Sequence, residues 1–209
     1  MPSARLRGLA KARSPTIQAM ILLLAKHSQP VVDSTAPSNT WRLSTAGRRR
    51  AIALAASVRR LRPTKVLSSP ERKALETAQI VAASLRLAVE ASDGLREQER
   101  PSLPFSGTPD DFERSIEAAF ARPGEAIYGG ESVDTARLRF AEVVERLRAA
   151  FPGETPLIVS HGTVLAAFAA HVTGQPAFAL WRGLDLPCWL ALDLDASAIV
   201  ESWRAARSR

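Results

Sequence analysis

The sequence predicts an α/β fold, three layers deep, with a mostly parallel central sheet flanked by helices. Two observations carry that expectation. Short apolar runs of strand length recur along the chain, at Met20–Ala25, Lys65–Ser68 and Pro156–Ser160. Each gives way to a longer stretch whose apolar residues fall at helical spacing.

Met20–Ala25 (MILLLA) ends at a polar cluster and reads as a buried strand. A loop rich in Pro, Ser and Asn follows, from Gln29 to Asn39. Ser44–Leu61 reads as an amphipathic helix with Ser44 as its N-cap and Arg62-Pro63 as its stop. Lys65–Ser68 is a second strand and Glu71–Leu87 a second helix. Residues 101–112 are rich in Pro, Gly and Asp. They lead into a helix at Asp110–Ala121 and a loop at Arg122–Gly130. The segment from about 100 to 130 is therefore expected to be a small inserted lid over the sheet. Glu131–Ala150 is a third long helix, with Val133, Leu138, Phe140, Val143, Val144 and Leu147 as candidate core residues. Pro156–Ser160 is again a buried strand, and Thr163–Val172 a helix ended by Thr173-Gly174. Strands at Cys188–Leu194 and Ala198–Trp203 close the fold.

Composition bounds the function. At 46% hydrophobic residues, the 209-residue chain has the material for a core, and a disordered tail protein is excluded. No apolar run approaches the ~20 residues of a membrane-spanning helix. The single cysteine, Cys188, sits in an apolar run and is expected to be a buried reduced thiol. The net charge of +7 is formally a property of the ends. Residues 1–19 carry four basic and no acidic side chains, and residues 203–209 three and none. The remaining 21 basic residues balance 21 acidic ones, so no basic groove for nucleic acid is expected on the body. A cytoplasmic protein with no membrane or nucleic-acid partner is the expectation. By composition, residues 1–19 read as a disordered basic extension, with a targeting segment as the alternative. The domain is expected to span residues 20–203, followed by a basic tail at 204–209.

Two of the three histidines share a local grammar. His27 follows MILLLAK and His161 follows PLIVS, so each sits where a buried strand exits into a loop. Ligands of open α/β sheets bind at the carboxyl ends of strands, which brings both imidazoles to one crevice. A third strand exit, Ser68-Ser69-Pro70-Glu71-Arg72-Lys73, brings cations to the same edge. With a helix N-terminus at Thr163, these groups suit a phosphate dianion. His171, at a helix end, and the run Arg48-Arg49-Arg50 read as surface residues. The four tryptophans are scattered singly and read as core or lid packing.

Six blocks in order resemble the histidine phosphatase superfamily, the phosphoglycerate-mutase-like enzymes. Lys26-His27-Ser28 stands where that family has Arg-His-Gly, and Leu43-Ser44-Thr45-Ala46-Gly47-Arg48 resembles its L-T-x-x-G-R helix start. Ser68 to Ala78 resembles S-S-P-L-x-R-A-x-x-T-A. Leu95-Arg96-Glu97 resembles L-x-E, Gly129-Gly130-Glu131-Ser132 resembles G-G-E-S, and Val159-Ser160-His161-Gly162 resembles V-S-H-G. The resemblance implies a phosphomonoesterase that needs no metal or cofactor and acts on a small phosphorylated metabolite. His27 would attack phosphorus and form a phosphohistidine that water hydrolyses. Lys26, Lys73 and His161 would hold the equatorial oxygens, and Glu97 would exchange protons with the leaving and attacking oxygens. Ser28, Gly162 and Thr163 would complete the phosphate shell, with Arg72 as a further candidate.

The chain departs from the family pattern at both arginine positions, which carry Lys26 and Lys73, and at the glycine replaced by Ser28. Lysine keeps the charge but loses the bidentate fork. Two alternatives stay open at this stage: a phosphoglycerate-type mutase, and a pseudoenzyme that binds phosphorylated ligands without turnover. The extension itself is testable. A chain beginning at Met20 is expected to keep the melting temperature and activity of the full chain, and a loss of several degrees would mean that residues 1–19 pack on the body.

Overall fold

A computed structural model describes residues 20–100, 107–127 and 129–205. Residues 1–19 and 206–209, read above as extension and tail, lie outside the described residues, as does part of the expected lid. Six strands form one sheet in the order β3-β2-β4-β1-β5-β6. They are β1 (Ile21–Lys26), β2 (Lys65–Ser68), β3 (Val89–Ala91), β4 (Pro156–Ser160), β5 (Cys188–Asp193) and β6 (Ala198–Arg204). The first four are mutually parallel, while β5 runs antiparallel to β1 and β6 antiparallel to β5.

Alternation along each strand divides the core between two faces. Leu22, Leu24, Leu67 and Ile158 point to one side. There they meet α4 (Val133–Ala150) and α5 (Gly162–Thr173) through Phe140, Val144, Leu165 and Phe168. Leu23, Ala25, Val66, Leu157 and Val159 point to the other side and meet α1 (Thr45–Val58) and α2 (Arg72–Leu85). Small residues on those two helices, Ala51, Ala55, Ala74 and Ala78, are fully buried and let α1 and α2 lie close to the sheet. Trp189 crosses the same layer, its Nε1 donating to Ser57 Oγ at 2.9 Å. No helix of the described residues is long and apolar enough to cross a membrane.

Helix starts follow local chemistry. The Ser44 side chain accepts from Gly47 N and caps α1. Thr108 and Asp111 form a reciprocal capping box at the start of α3 (Pro109–Ala121), with Pro109 in the first turn. Ser132 caps α4 by accepting from Thr135 N. The α3 helix lies against α6 (Ala177–Gly183), and an ion pair between Glu113 and Arg182 at 2.8 Å joins the two.

Two sequence expectations need correction, and two short elements lie beyond them. Leu138 is 54% exposed, because it falls on the outer face of α4 between the buried positions Ala136 and Phe140. Arg204 closes β6 and does not belong to a tail. The three-residue strand β3 and the seven-residue helix α6 are too short to display a period, and neither was anticipated. Phe140 is fully buried with its ring 5.0 Å from that of Phe168. Phe140→Ala is therefore expected to cost about 3–5 kcal/mol in urea denaturation. A loss below about 1 kcal/mol would mean that this face repacks freely.

Candidate active site

Three adjacent parallel strands end together. In register, Ser68 of β2 lies beside Val159 of β4, and Lys26 of β1 beside Ser160. The backbone continues this alignment past the strand ends. His27 N donates to the Ser160 carbonyl at 2.9 Å, and Ser69 N to the Val159 carbonyl at 3.0 Å. The residues that follow these strands are thereby gathered at one edge. A cleft of about 350 Å³ opens there, lined by Lys26, His27, Lys73, Glu97, Arg100 and His161, with apolar side chains completing its walls.

His27 is held from behind. Its Nδ1 lies 2.8 Å from the Ser28 carbonyl, which can only accept, so Nδ1 carries the proton. Nε2 is left with the lone pair. Ser28 is itself fixed, its N–H donating to Thr77 Oγ1 at 3.0 Å and its Oγ to the Gly47 carbonyl at 2.7 Å. Thr77 in turn donates to the Lys73 carbonyl. Gly47 has no room for a side chain, since a Cβ there would stand 2.0 Å from the Gln29 carbonyl oxygen. Burial pushes the His27 pKa well below its ordinary value, and His161, Lys73 and Lys26 push in the same direction.

His161, 1% exposed, lies with its ring centroid 5.1 Å from that of His27. Its Nε2 is 2.8 Å from Ser69 Oγ and 3.4 Å from Glu71 Oε1, while Nδ1 is buried without a hydrogen-bond partner. Burial, then Lys73, holds its pKa well below the ordinary value too. Lys26 Nζ donates to the Leu184 carbonyl at 2.8 Å, and burial lowers its pKa. Lys73 Nζ is shared between the Ser38 carbonyl at 2.8 Å and Glu71 Oε2 at 2.6 Å.

Other candidate residues are placed differently from the sequence expectation. The Arg72 side chain is 55% exposed and pairs with Glu76 at 3.1 Å, one turn along α2 and outside the cleft lining. Ser28 spends both its N–H and its hydroxyl on protein partners, so its contribution is to orient His27. At the start of α5, the Thr163 and Val164 N–H groups donate to the two oxygens of Glu97, at 3.2 and 3.1 Å. The helix terminus assigned to a ligand anion thus already carries a carboxylate. Gly162 passes against Lys26 and Trp181, where a Cβ would come within 3.2 Å of the Trp181 Nε1.

Sequence reasoning missed two residues. Arg100 donates through Nη2 to Glu97 Oε2 at 3.2 Å and to Thr163 Oγ1 at 2.9 Å. It brings a guanidinium to a cleft whose two motif positions carry lysine. Glu71, read as the first residue of a helix, places a carboxylate only 10% exposed among Lys73, His161 and the Glu97 N–H. Its signal was available, since the family has leucine at that position. Glu97 accepts from Gln98 N as well as from α5 and Arg100. Burial raises its pKa, but Arg100 and the Thr163 N–H outweigh burial and hold the carboxyl below its ordinary range. Arg139 and Glu131 staple this segment. Arg139 donates to the carbonyls of Gly94, Arg96 and Glu97, and Glu131 accepts from Glu99 N.

A sequence profile of the histidine phosphatase superfamily, branch 1, matches residues 28–204. The chain belongs to that superfamily. The match begins directly after His27, and it covers α1 through β6 with every other cleft residue named above except Lys26. No curated protein matches the chain. Among solved structures, a mycobacterial glucosyl-3-phosphoglycerate phosphatase aligns at 24% identity with a TM-score of 0.68, covering 87% of this chain and 95% of its own. A complex of that mycobacterial phosphatase with inorganic phosphate aligns at 25% identity and 0.65, over 82% and 88%. A putative α-ribazole-5′-P phosphatase from Escherichia coli aligns at 23% identity and 0.63, over 84% and 91%.

The two neutral imidazoles of this superfamily member set a pH dependence of stability. Their folded pKa values lie below the value of 6.5 that an exposed histidine has. Between the folded value and 6.5 the unfolded chain binds protons that the native chain does not, so stability rises with pH across that window. It is complete above pH 6.5 and declines as pH falls, by about 1.4 kcal/mol per pH unit for each histidine until its folded pKa is reached. Glu97 acts lower, its contribution being present above about pH 4.5 and lost as pH falls through its depressed folded value. Urea denaturation at pH 7.5, 6.5 and 5.5 should show this decline, and His161→Gln should shallow it. A flat profile from pH 7.5 to 5.5 would contradict the burial of neutral histidines.

Proposed function

We propose that the protein is a phosphomonoester hydrolase that works through a phosphohistidine on His27. The observation that carries this reading is the His27 ring itself: neutral, buried, anchored at Nδ1 by the Ser28 carbonyl, and facing His161 in a cleft with three cationic side chains. A fixed imidazole with a free lone pair at Nε2 is a competent nucleophile near neutral pH.

The chemistry then follows in two displacements. Nε2 of His27 attacks phosphorus, the P–N bond forms, and the bond to the ester oxygen breaks. Lys26, Lys73, Arg100 and the buried Nδ1 of His161 are the groups available to the equatorial oxygens, where transition-state charge develops. Glu97 begins as a carboxylate held by four contacts, from three backbone N–H groups and the Arg100 guanidinium. A bound phosphate dianion adds like charge beside it and competes for Arg100, which raises its proton affinity, so that the carboxyl takes up a proton from solvent as the substrate binds. The leaving alkoxide takes that proton. Water then attacks the phosphohistidine and returns a proton to Glu97, and the P–N bond breaks to release inorganic phosphate. No step is assigned to a metal.

A second reading, ligand binding without turnover, is favoured by one feature: Lys73 is already neutralised by Glu71. The isomerase alternative has no comparable support here, and the solved-structure neighbours quoted above carry phosphatase names.

The deciding experiment is phosphate release from an aryl phosphate by wild type and His27→Ala, with trapping of a phosphoenzyme stable to base and labile to acid. His27→Ala is expected to abolish both signals. Binding of phosphate by wild type with no release and no trapped species would establish the second reading. The Glu71 contact generates its own expectation. Glu71→Gln removes a negative charge beside Lys73 and His161, and is expected to tighten inhibition by inorganic phosphate roughly three- to tenfold, about 1 kcal/mol. Unchanged inhibition would mean that Lys73 does not reach the phosphate.

A further inference from the structure

The cleft has two chemically distinct sets of walls. One set is the phosphate machinery already described. The other is Pro30, Val32, Trp41, Phe112, Trp181 and Leu186, which together present no charged side chain. Among the described residues, the polar lining outside the phosphate machinery is Gln29 and Ser38, and the Ser38 carbonyl is already taken by Lys73.

The three aromatic rings are held in place by different elements. Trp41 Nε1 donates to the carbonyls of Asp33 and Ala36, at 3.0 and 3.1 Å, which turns the polar edge of the indole toward its own loop. The hydrocarbon part of that ring is what remains for the cleft. Trp181, on α6, is stacked on Phe178 with centroids 5.9 Å apart. It meets Phe112 of α3 at 6.0 Å in a tilted pair. The Glu113–Arg182 ion pair holds the helices that carry these two rings together. The Arg100 guanidinium lies 5.1 Å over Phe112, so the cation nearest Glu97 is also the junction between the two sets of walls.

We infer that the leaving group of the substrate carries a flat, uncharged ring, which packs against Trp41, Phe112 and Trp181 while the phosphoryl group meets His27. The inference deepens the phosphatase reading of the same cleft and rests on it. A substrate bearing a second anion is disfavoured on the same grounds. A carboxylate beyond the phosphoryl group would face apolar walls, with no cation among them to offset its desolvation. A ring contributes both buried apolar area and aromatic pair contacts, and the walls are fixed before it arrives.

The test separates binding from turnover. Phenethyl phosphonate and ethyl phosphonate share one non-hydrolysable head group and differ only in the ring. By calorimetry, wild type is expected to bind the phenethyl compound about tenfold more tightly or better. Trp41→Ala and Phe112→Ala should each reduce that ratio to about threefold or less. The ratio is internal to each protein, so a general loss of folded material does not imitate it. In parallel, phosphate release is measured from the corresponding phosphate esters, whose alkoxide leaving groups are similar in basicity. Equal affinity for the two phosphonates overturns the inference, as does tighter binding of 3-phosphoglycerate than of the phenethyl compound, whether or not the esters are hydrolysed. A retained ring preference without phosphate release supports the aromatic subsite and overturns the hydrolase reading alone.

Discussion

The hydrogen bond from His27 Nδ1 to the Ser28 carbonyl governs the chemistry of this cleft. It settles which ring nitrogen carries the proton and which keeps the lone pair. The bond exists because Ser28 cannot turn. Its amide is spent on Thr77 of α2 and its hydroxyl on the carbonyl of Gly47 in α1. Those helices are held against the sheet by small buried side chains, so the orientation of the His27 ring is a property of the whole α1–α2 layer. Serine where the family has glycine is accommodated by the same arrangement, because its hydroxyl has a partner.

Around that fixed ring the charges nearly cancel. Lys26, Lys73 and Arg100 face Glu71 and Glu97, and both histidines are held neutral chiefly by burial. Such balance makes the cluster tolerable, since uncompensated cations with so little solvent around them would be costly. In the proposed reaction an incoming dianion would have to displace internal partners. Lys73 would leave Glu71 or share itself, and Arg100 would loosen from Glu97. These exchanges would moderate affinity for the phosphoryl group and couple to the proton affinity of Glu97.

Much of the architecture was legible in the residues. MILLLA and PLIVS are too short for helices and too apolar for loops, and the sheet places them side by side as β1 and β4. The convergence of two strand-exit histidines followed from that topology. What could not be read depended on long-range packing. Arg100 belongs to no motif, and it reaches the cleft because Arg139 and Glu131 hold residues 94–99 against α4. The N-terminus of α5 looked like an anion site, and the anion that occupies it, Glu97, comes from a segment 66 residues earlier. Single tryptophans carried no sequence signal of their own. Trp189 belongs to the core, whereas Trp41 and Trp181 line the cleft, a division that only the tertiary fold decides.

The tautomer of His27 tests the central claim most directly. Nitrogen-15 chemical shifts of the imidazole, assigned by comparison with His27→Ala and followed from pH 8 to pH 6, report protonation at each ring nitrogen separately. The account requires a neutral ring protonated at Nδ1 throughout that range. A ring protonated at Nε2, or an imidazolium already forming at pH 7, would contradict it.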